Sequence, residues 1–459
     1  MADVLRHEDI DACRERESPD AKMLCKFRSY ASGDHNRVLS AAQRKMLGSA
    51  AANAIADNVL RLVLTTAASR LELEGWEVPA DPVQTFLDTF YLHARIGRLQ
   101  FDTNFAFLRD GMSAVSLRWK PSATDTGRVT AHREQWWDGK YGVFVAFDDF
   151  DEPAWAVLDF VTYEGKKATD RRVVYYPDMI CRYIKDGQGW KPYELPSDPP
   201  GSRGIIPWVK PDGTPIGLPV IAFANSLADE GNYGRSDLWG LLGLQDDLNS
   251  IQHDMTAAGK YTGFQMYYAT GMTADETKGK VGPGQILTAT DPAARIGAIP
   301  PGDMGKLIEA HTYKRQTIGV DTSTPMHLIT GGEWPSGEAL LRAEMPLVDK
   351  VKKLARVNGP SYVMLAHRAT EIYNTFSKSG EPLDEDSPIT ARFSPPERLD
   401  ELTTIAVQQA REKLYASLGS LSDPILLEKT GLLDKGEITK ILAAKEEREA
   451  ALLTPVGEF

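Results

Sequence analysis

Four carboxylates fall within five residues at Asp148, Asp149, Asp151 and Glu152. Carboxylate oxygens gathered in one loop are the ligands Mg²⁺ and Ca²⁺ prefer, although this spacing matches no defined ligand pattern. The chemical reading is a metal-dependent nucleic-acid enzyme, and the plainer one is a solvated turn. A second acidic group, Asp246, Asp247 and Asp254, sits in a helical pattern in which the 247/254 pair shares a face and Asp246 points away. Opposed to these is a basic run, Lys350, Lys352, Lys353 and Arg356, which reads as a solvated helical face, an inter-subunit salt-bridge surface or a weak nucleic-acid contact. Trp136-Trp137 beside Asp138-Gly139 offers either a stacking platform for bases or a buried turn. The eight histidines are scattered, and His253 and His311, each in a helical pattern, suit structural or solvated roles.

Several chemistries have no sequence to support them. The chain lacks GxxxxGK[ST], HExxH, GxSxG, an EF-hand loop and paired CxxC. No catalytic residue, metal site or cofactor is therefore expected. Cys13, Cys25 and Cys181 form no even framework, which points to a reducing compartment. The first twenty residues mix both charge signs without an apolar core, so no secretory signal is expected, and no apolar run approaches a membrane span. With 52 Lys+Arg against 64 Asp+Glu, the net charge of −12 argues against a surface that grips phosphates. It permits a protein that encloses nucleic acid without holding it.

The elements that must position these residues follow from periodicity. Residues 40–66 predict one or two amphipathic helices, and 83–100 a further helix behind Asp81-Pro82. From Phe105 the period falls to two, with short runs at 114–119, 141–147, 155–160, 172–176, 180–184 and 220–223 between turn residues. That pattern predicts antiparallel strands, and the eight prolines of 192–219 a rigid irregular connection. A helix of about 23 residues is expected from a Ser236 cap, with Leu241, Leu244, Leu248, Ile251, Met255 and Ala258 as its buried stripe. Glycine and proline dominate 263–302, which suggests a protruding subdomain between that helix and another capped by Asp303 and ending near Gly319. Residues 320–335 predict a long loop, followed by a helix capped by Ser336, kinked or interrupted at Pro346, and broken again near Gly359-Pro360. After a breaker-rich stretch, helices are expected at 397–418, 424–431 and 435–451. The fold class is α+β, mainly helical.

This order, with Leu244-Gln245-Asp246-Asp247-Leu248-Asn249 on the first long helix and Gly332-Glu333-Trp334-Pro335-Ser336-Gly337-Glu338-Ala339-Leu340 leading into the later one, resembles the portal proteins of tailed double-stranded DNA bacteriophages. The resemblance implies a ring, usually of twelve subunits, at one vertex of the virion capsid, made in the host cytoplasm. Double-stranded DNA would pass through it non-specifically. It implies a wing over 1–232, stem helices at 233–262 and 303–318, a clip at 263–302, a tunnel loop at 319–335, a long wing helix and return segment at 336–396 and a crown at 397–459. Expected partners are a terminase large subunit, major capsid and scaffolding proteins and a head-completion adaptor, with no membrane.

On that plan Asp246, Asp247 and Asp254 would line an acidic channel. Asp321, Thr322, Ser323, Thr324, His327 and Thr330 would confront DNA from the tunnel loop, and Glu344, Lys350, Lys352, Lys353 and Arg356 would serve between subunits or on the wing helix. Another phage structural adaptor with similar helices is the second alternative, beside the metal-dependent enzyme.

Overall fold

The computed structural model describes residues 4–18, 21–35, 57–122, 127–187, 189–195, 198, 201–225, 233–263, 267–271, 291–298, 303–331, 337–377 and 382–397. The chain divides into two compact units, Met1–Pro396 and Glu397–Phe459. The helices expected beyond 397, most of the subdomain between 263 and 302, and Gly332 to Ser336 lie outside the described residues.

Helices α1 (His7–Glu17), α2 (Ala21–Ser32) and α3 (Val59–Ala68) open the first unit. Strand β1 (Leu73–Glu77) follows, then α4 (Asp81–His93) and α5 (Ile96–Asp110). The single helix expected over 83–100 is thus two, because the chain turns at Arg95 through a left-handed φ of 54°. The reversal brings Leu87 and Phe90 of α4 into one core with Ile96 and Phe107 of α5. A straight helix could not fold both apolar faces onto the same side. Helix α5 also extends past Phe105, where strand was expected, and its buried face includes Phe107 and Leu108.

The period-two segments form strands. Strands β2 (Met112–Lys120) and β3 (Arg128–Glu134) are a hairpin, and β10 (Val220–Ala224) pairs with the other edge of β2. Strands β4 (Gly142–Phe147), β5 (Pro153–Glu164), β6 (Lys167–Tyr175) and β7 (Met179–Asp186) run as an antiparallel meander. The far edge of β7 is shared by β8 (Gly189–Pro192) and β9 (Ile205–Pro207). One face of this larger sheet is covered by α1 through a buried ion cluster: Asp159 takes Arg14 at 2.6 Å and Arg172 at 2.8 Å. Both guanidinium groups also stack, Arg14 over Trp137 and Arg172 over Trp190, each at 4.4 Å. Trp136 and Trp137 are buried, Trp136 against Phe144 and Tyr233, so the base-stacking reading of the pair fails.

Helix α6 (Leu242–Gly263) is 22 residues long, roughly 33 Å. It begins later than predicted because Gly240 has φ of +80° and Ser236 caps the preceding turn, accepting from the Leu238 amide at 3.0 Å. A hairpin, β11 (Tyr267–Thr270) with β12 (Arg295–Ala298), is described from the following segment. Asp303 caps α7 (Met304–Thr322) as expected, accepting from the Gly305 amide, but the helix runs past Gly319 to Thr322. A short α8 (Met326–Thr330) follows where a loop was predicted.

Helix α9 (Gly337–Phe376) is continuous over 40 residues with Pro346 and Pro360 inside it. Neither an interruption at Pro346 nor a break near Gly359-Pro360 occurs, and the physical reason is position. Both prolines are exposed, as are Arg342 and Arg356 four residues before them, so the carbonyls that lose an amide partner lie on the solvent side. The opposite face buries Leu347, Val351, Leu354, Tyr362, Leu365 and Ile372. Strand β13 (Thr390–Phe393) returns to pair with β1.

Candidate functional site: a polar joint between two long helices

Helices α6 and α7 pack side by side, and the residues singled out by their acidity hold that arrangement together. Asp247 accepts from Lys314 of α7 at 2.7 Å. Asp246 accepts the Tyr30 hydroxyl of α2 at 2.8 Å, and partial burial, with Asp247 adding to it, raises its carboxyl above the usual aspartate range despite that bond. Asp247 and Asp254 are exposed, and Asp246 is half-buried.

The buried face of α6 differs from the predicted one. Gln245, Asn249 and His253, spaced by four, are buried with Leu248 and Ala257, whereas Leu244, Ile251 and Met255 are only half-covered. The amide nitrogens of Gln245 and Asn249 find acceptors in the N-terminal segment. Gln245 donates to the Asp57 carbonyl at 2.5 Å and Asn249 donates to His35 Nδ1 at 2.9 Å, which leaves His35 Nε2–H to donate to the Tyr30 carbonyl at 3.1 Å. That tautomer follows from the network, since an amide N–H needs an unprotonated ring nitrogen. Asp57 then reaches α7, 3.2 Å from Arg315 and 3.8 Å from His311. Burial outweighs the nearby Asp57 and lowers the His311 pKa, so this ring favours the neutral form.

The corner between α7 and α8 is equally built. Ser323 takes a left-handed φ of 57°, and the Thr324 amide closes back on the Gly319 carbonyl at 2.8 Å. Gly319 is closely approached: a Cβ there would lie 2.9 Å from Ile329 Cδ1 and Met326 Cε, so those side-chain ends would have to shift. Thr322 and Thr324 are buried with their hydroxyls 2.9 Å apart. The His327 side chain is 4% exposed and 3.7 Å from Glu344. Of the expected tunnel-loop set, these three side chains are covered within the chain. Asp321 is exposed, and Ser323 and Thr330 are half-exposed.

Two residues of α9 lock that corner from behind. Glu344 is buried and takes Arg70 through both oxygens at 3.0 Å, while Arg70 also donates to the Pro396 carbonyl. Lys350 pairs with Asp237 and donates to the Thr322 carbonyl at 3.1 Å, placing a cation at the negative end of α7. Glu344 and Lys350 are thus both fastened within the chain, on the long helix where the wing was expected. Lys352, Lys353 and Arg356 remain exposed.

Elsewhere, the carboxylate of Asp148 is taken up by the amides of Phe150 and Glu152 at 2.9 Å each. Among the described residues no group of three or more His, Cys, Asp or Glu is placed to hold a metal ion. No described helix is long and apolar enough to cross a membrane.

The family model of the phage portal protein, SPP1 Gp6-like, matches residues 141–451, more than half of the chain. The chain belongs to the phage portal protein family. No curated protein matches it. Within this portal chain, α6, α7, α8 and α9 all lie inside the matched span, whereas Tyr30, His35, Asp57 and Arg70, which fasten them, precede it. Sequence reasoning missed those four. The i, i+4, i+8 spacing of Gln245, Asn249 and His253 was a legible sign of a polar face, but nothing local identifies Tyr30, 216 residues from Asp246, as its partner.

Proposed function

We propose that the chain forms a closed homo-oligomeric ring, of about twelve copies by the usual portal plan, at one vertex of a phage capsid. Double-stranded DNA passes through its channel during packaging and ejection. On this reading α6 and α7 are the stem, the strands and α9 the wing, the segment 263–302 the clip and 397–459 the crown. A terminase motor docks on the ring to supply the energy, scaffolding and major capsid proteins surround it, and a head-completion adaptor follows. The role is structural rather than enzymatic.

The observation that carries the reading is the uncovered apolar surface of the helix pair. Ile308 is 49% exposed, Tyr313 67% and Val320 69% on α7, beside the half-covered Leu244, Ile251 and Met255 of α6. Large apolar side chains left open on a paired strut find their cover in neighbouring copies. Asp247 and Asp254 are the exposed channel candidates on α6, because a negative lining repels phosphates and lets a duplex slide. Asp321, Ser323 and Thr330 are the remaining tunnel candidates.

Negative-stain microscopy and native mass spectrometry of the purified protein test the reading. A closed ring with an axial opening wide enough for a duplex is expected. A monomer with Mg²⁺-dependent nuclease activity would overturn it.

A further inference from the structure

A groove and a knob on the first unit are opposite in charge, and both are aromatic. The groove, a cavity of about 770 Å³, lies between α4, the far end of the β2–β3 hairpin and the C-terminal end of α9. Phe86 and Tyr373 meet in it at 4.8 Å, Phe86 stacks on Phe90, and Val129 completes the apolar wall. Lys120 and Arg128 stand on its rim as direct cross-strand partners. Like charges placed opposite each other on a hairpin are unfavourable. Among the described residues neither is paired with a carboxylate, and no described lining residue is acidic, in a chain of net charge −12. The described rim is therefore cationic.

The knob is the turn between β4 and β5. Asp148 ties it down by accepting from two amides, its own amide donates to the Glu152 carbonyl at 2.8 Å, and Asp151 adopts a φ of 64°. At the tip Phe150 is 85% exposed, flanked by exposed Asp149, Asp151 and Glu152. A large ring held in water on a rigid acidic turn is the counterpart of an aromatic pocket rimmed by cations.

The knob cannot reach its own groove. Phe147 at its base packs on Tyr233, and the adjacent Gly234 amide contacts Met112 Sδ at the start of β2, whereas the groove lies at Lys120, its other end. Eight residue steps of about 3.3 Å put roughly 26 Å between those ends. A contact using opposite ends of one molecule is heterologous, the type whose repetition closes a ring. We propose that the Phe150 turn of one copy seats in the Phe86/Tyr373 groove of the next, its carboxylates answering Lys120 and Arg128. This pairing rests on the ring reading above.

Replacing Phe150 with a photo-crosslinking benzoylphenylalanine tests it in the assembled full-length chain. Covalent dimers whose crosslink maps to residues 82–93 or 370–376 of a neighbouring copy are expected. Rings whose crosslinks map elsewhere, or within the same copy, overturn the knob-and-groove pairing and leave the ring standing; a wild-type chain that never oligomerises overturns the ring reading and this pairing with it. As a second measurement, Lys120→Glu with Arg128→Glu should raise the concentration for half-assembly by about tenfold or more. Adding Asp149→Lys and Glu152→Lys should restore it. Unchanged assembly in the first variant, or no recovery in the second, counts against the pairing.

Discussion

Asn358 shows how one side chain can finish a sheet. It is fully buried on α9, its Oδ1 accepting from the Ala224 amide at 3.0 Å and its Nδ2 donating to the Ala224 carbonyl at 2.9 Å. The amide group therefore supplies the pair of bonds that a neighbouring strand would give to the edge of β10. Asn358→Leu should cost about 2–4 kcal/mol in chemical denaturation, because both backbone groups lose a partner where water does not replace it. Asp246 makes the opposite prediction. Its folded-state pKa is raised by burial, so whatever favours its protonated form contributes stability at acid pH and is lost as pH rises through that value. Asp246→Asn keeps an acceptor for Tyr30 without the charge. Its melting temperature relative to wild type should rise at pH 7 and be nearly unchanged at pH 3; a larger gain at pH 3 would contradict the assignment.

Among the elements, α9 organises the fold because it touches the three-stranded sheet, the α7–α8 corner and the β1–β13 pair. Its prolines are tolerated through geometry rather than by bending the chain to a stop. Pro346→Ala should therefore raise stability, by up to about 3 kcal/mol, and a fall in melting temperature would show that the ring of Pro346 packs usefully. The Arg70–Glu344 pair, both partners nearly buried, is a different kind of fastener. Arg70→Met strands a buried carboxylate and should cost about 3–5 kcal/mol, whereas the double variant Arg70→Met/Glu344→Leu should recover most of that loss. Denaturation midpoints of the three proteins distinguish this from simple loss of packing.

At the scale of the whole molecule, the acidic residues of α6 divide into two classes. Replacing Asp246, Asp247 and Asp254 together by Lys tests the protomer as much as the channel, since Asp247→Lys sets two lysines against each other at position 314. Asp254→Lys leaves the Asp246–Tyr30 and Asp247–Lys314 bonds in place. Rings of that variant should assemble normally and retain DNA more strongly, with a steeper salt dependence of release. Retention equal to wild type would remove Asp254 from the channel.

The linear sequence determined the antiparallel strands at 114–119 and 141–147, the Asp303 cap and the two long helical patterns, because side-chain period and capping chemistry act within a few residues. It also held the resemblance to portal proteins, in the order of helix, glycine-rich insertion, helix and long helix. The tertiary structure alone decided that Glu344 and Lys350 close a corner, that Thr322 and Thr324 turn inward and that α6 buries Gln245 and Asn249 beside Leu248 while Leu244, Ile251 and Met255 stay half-covered. Glu344 depends on Arg70, Lys350 on Asp237, Gln245 on residue 57 and Asn249 on His35, all far away along the chain, and a buried polar group settles where such a partner completes its hydrogen bonds.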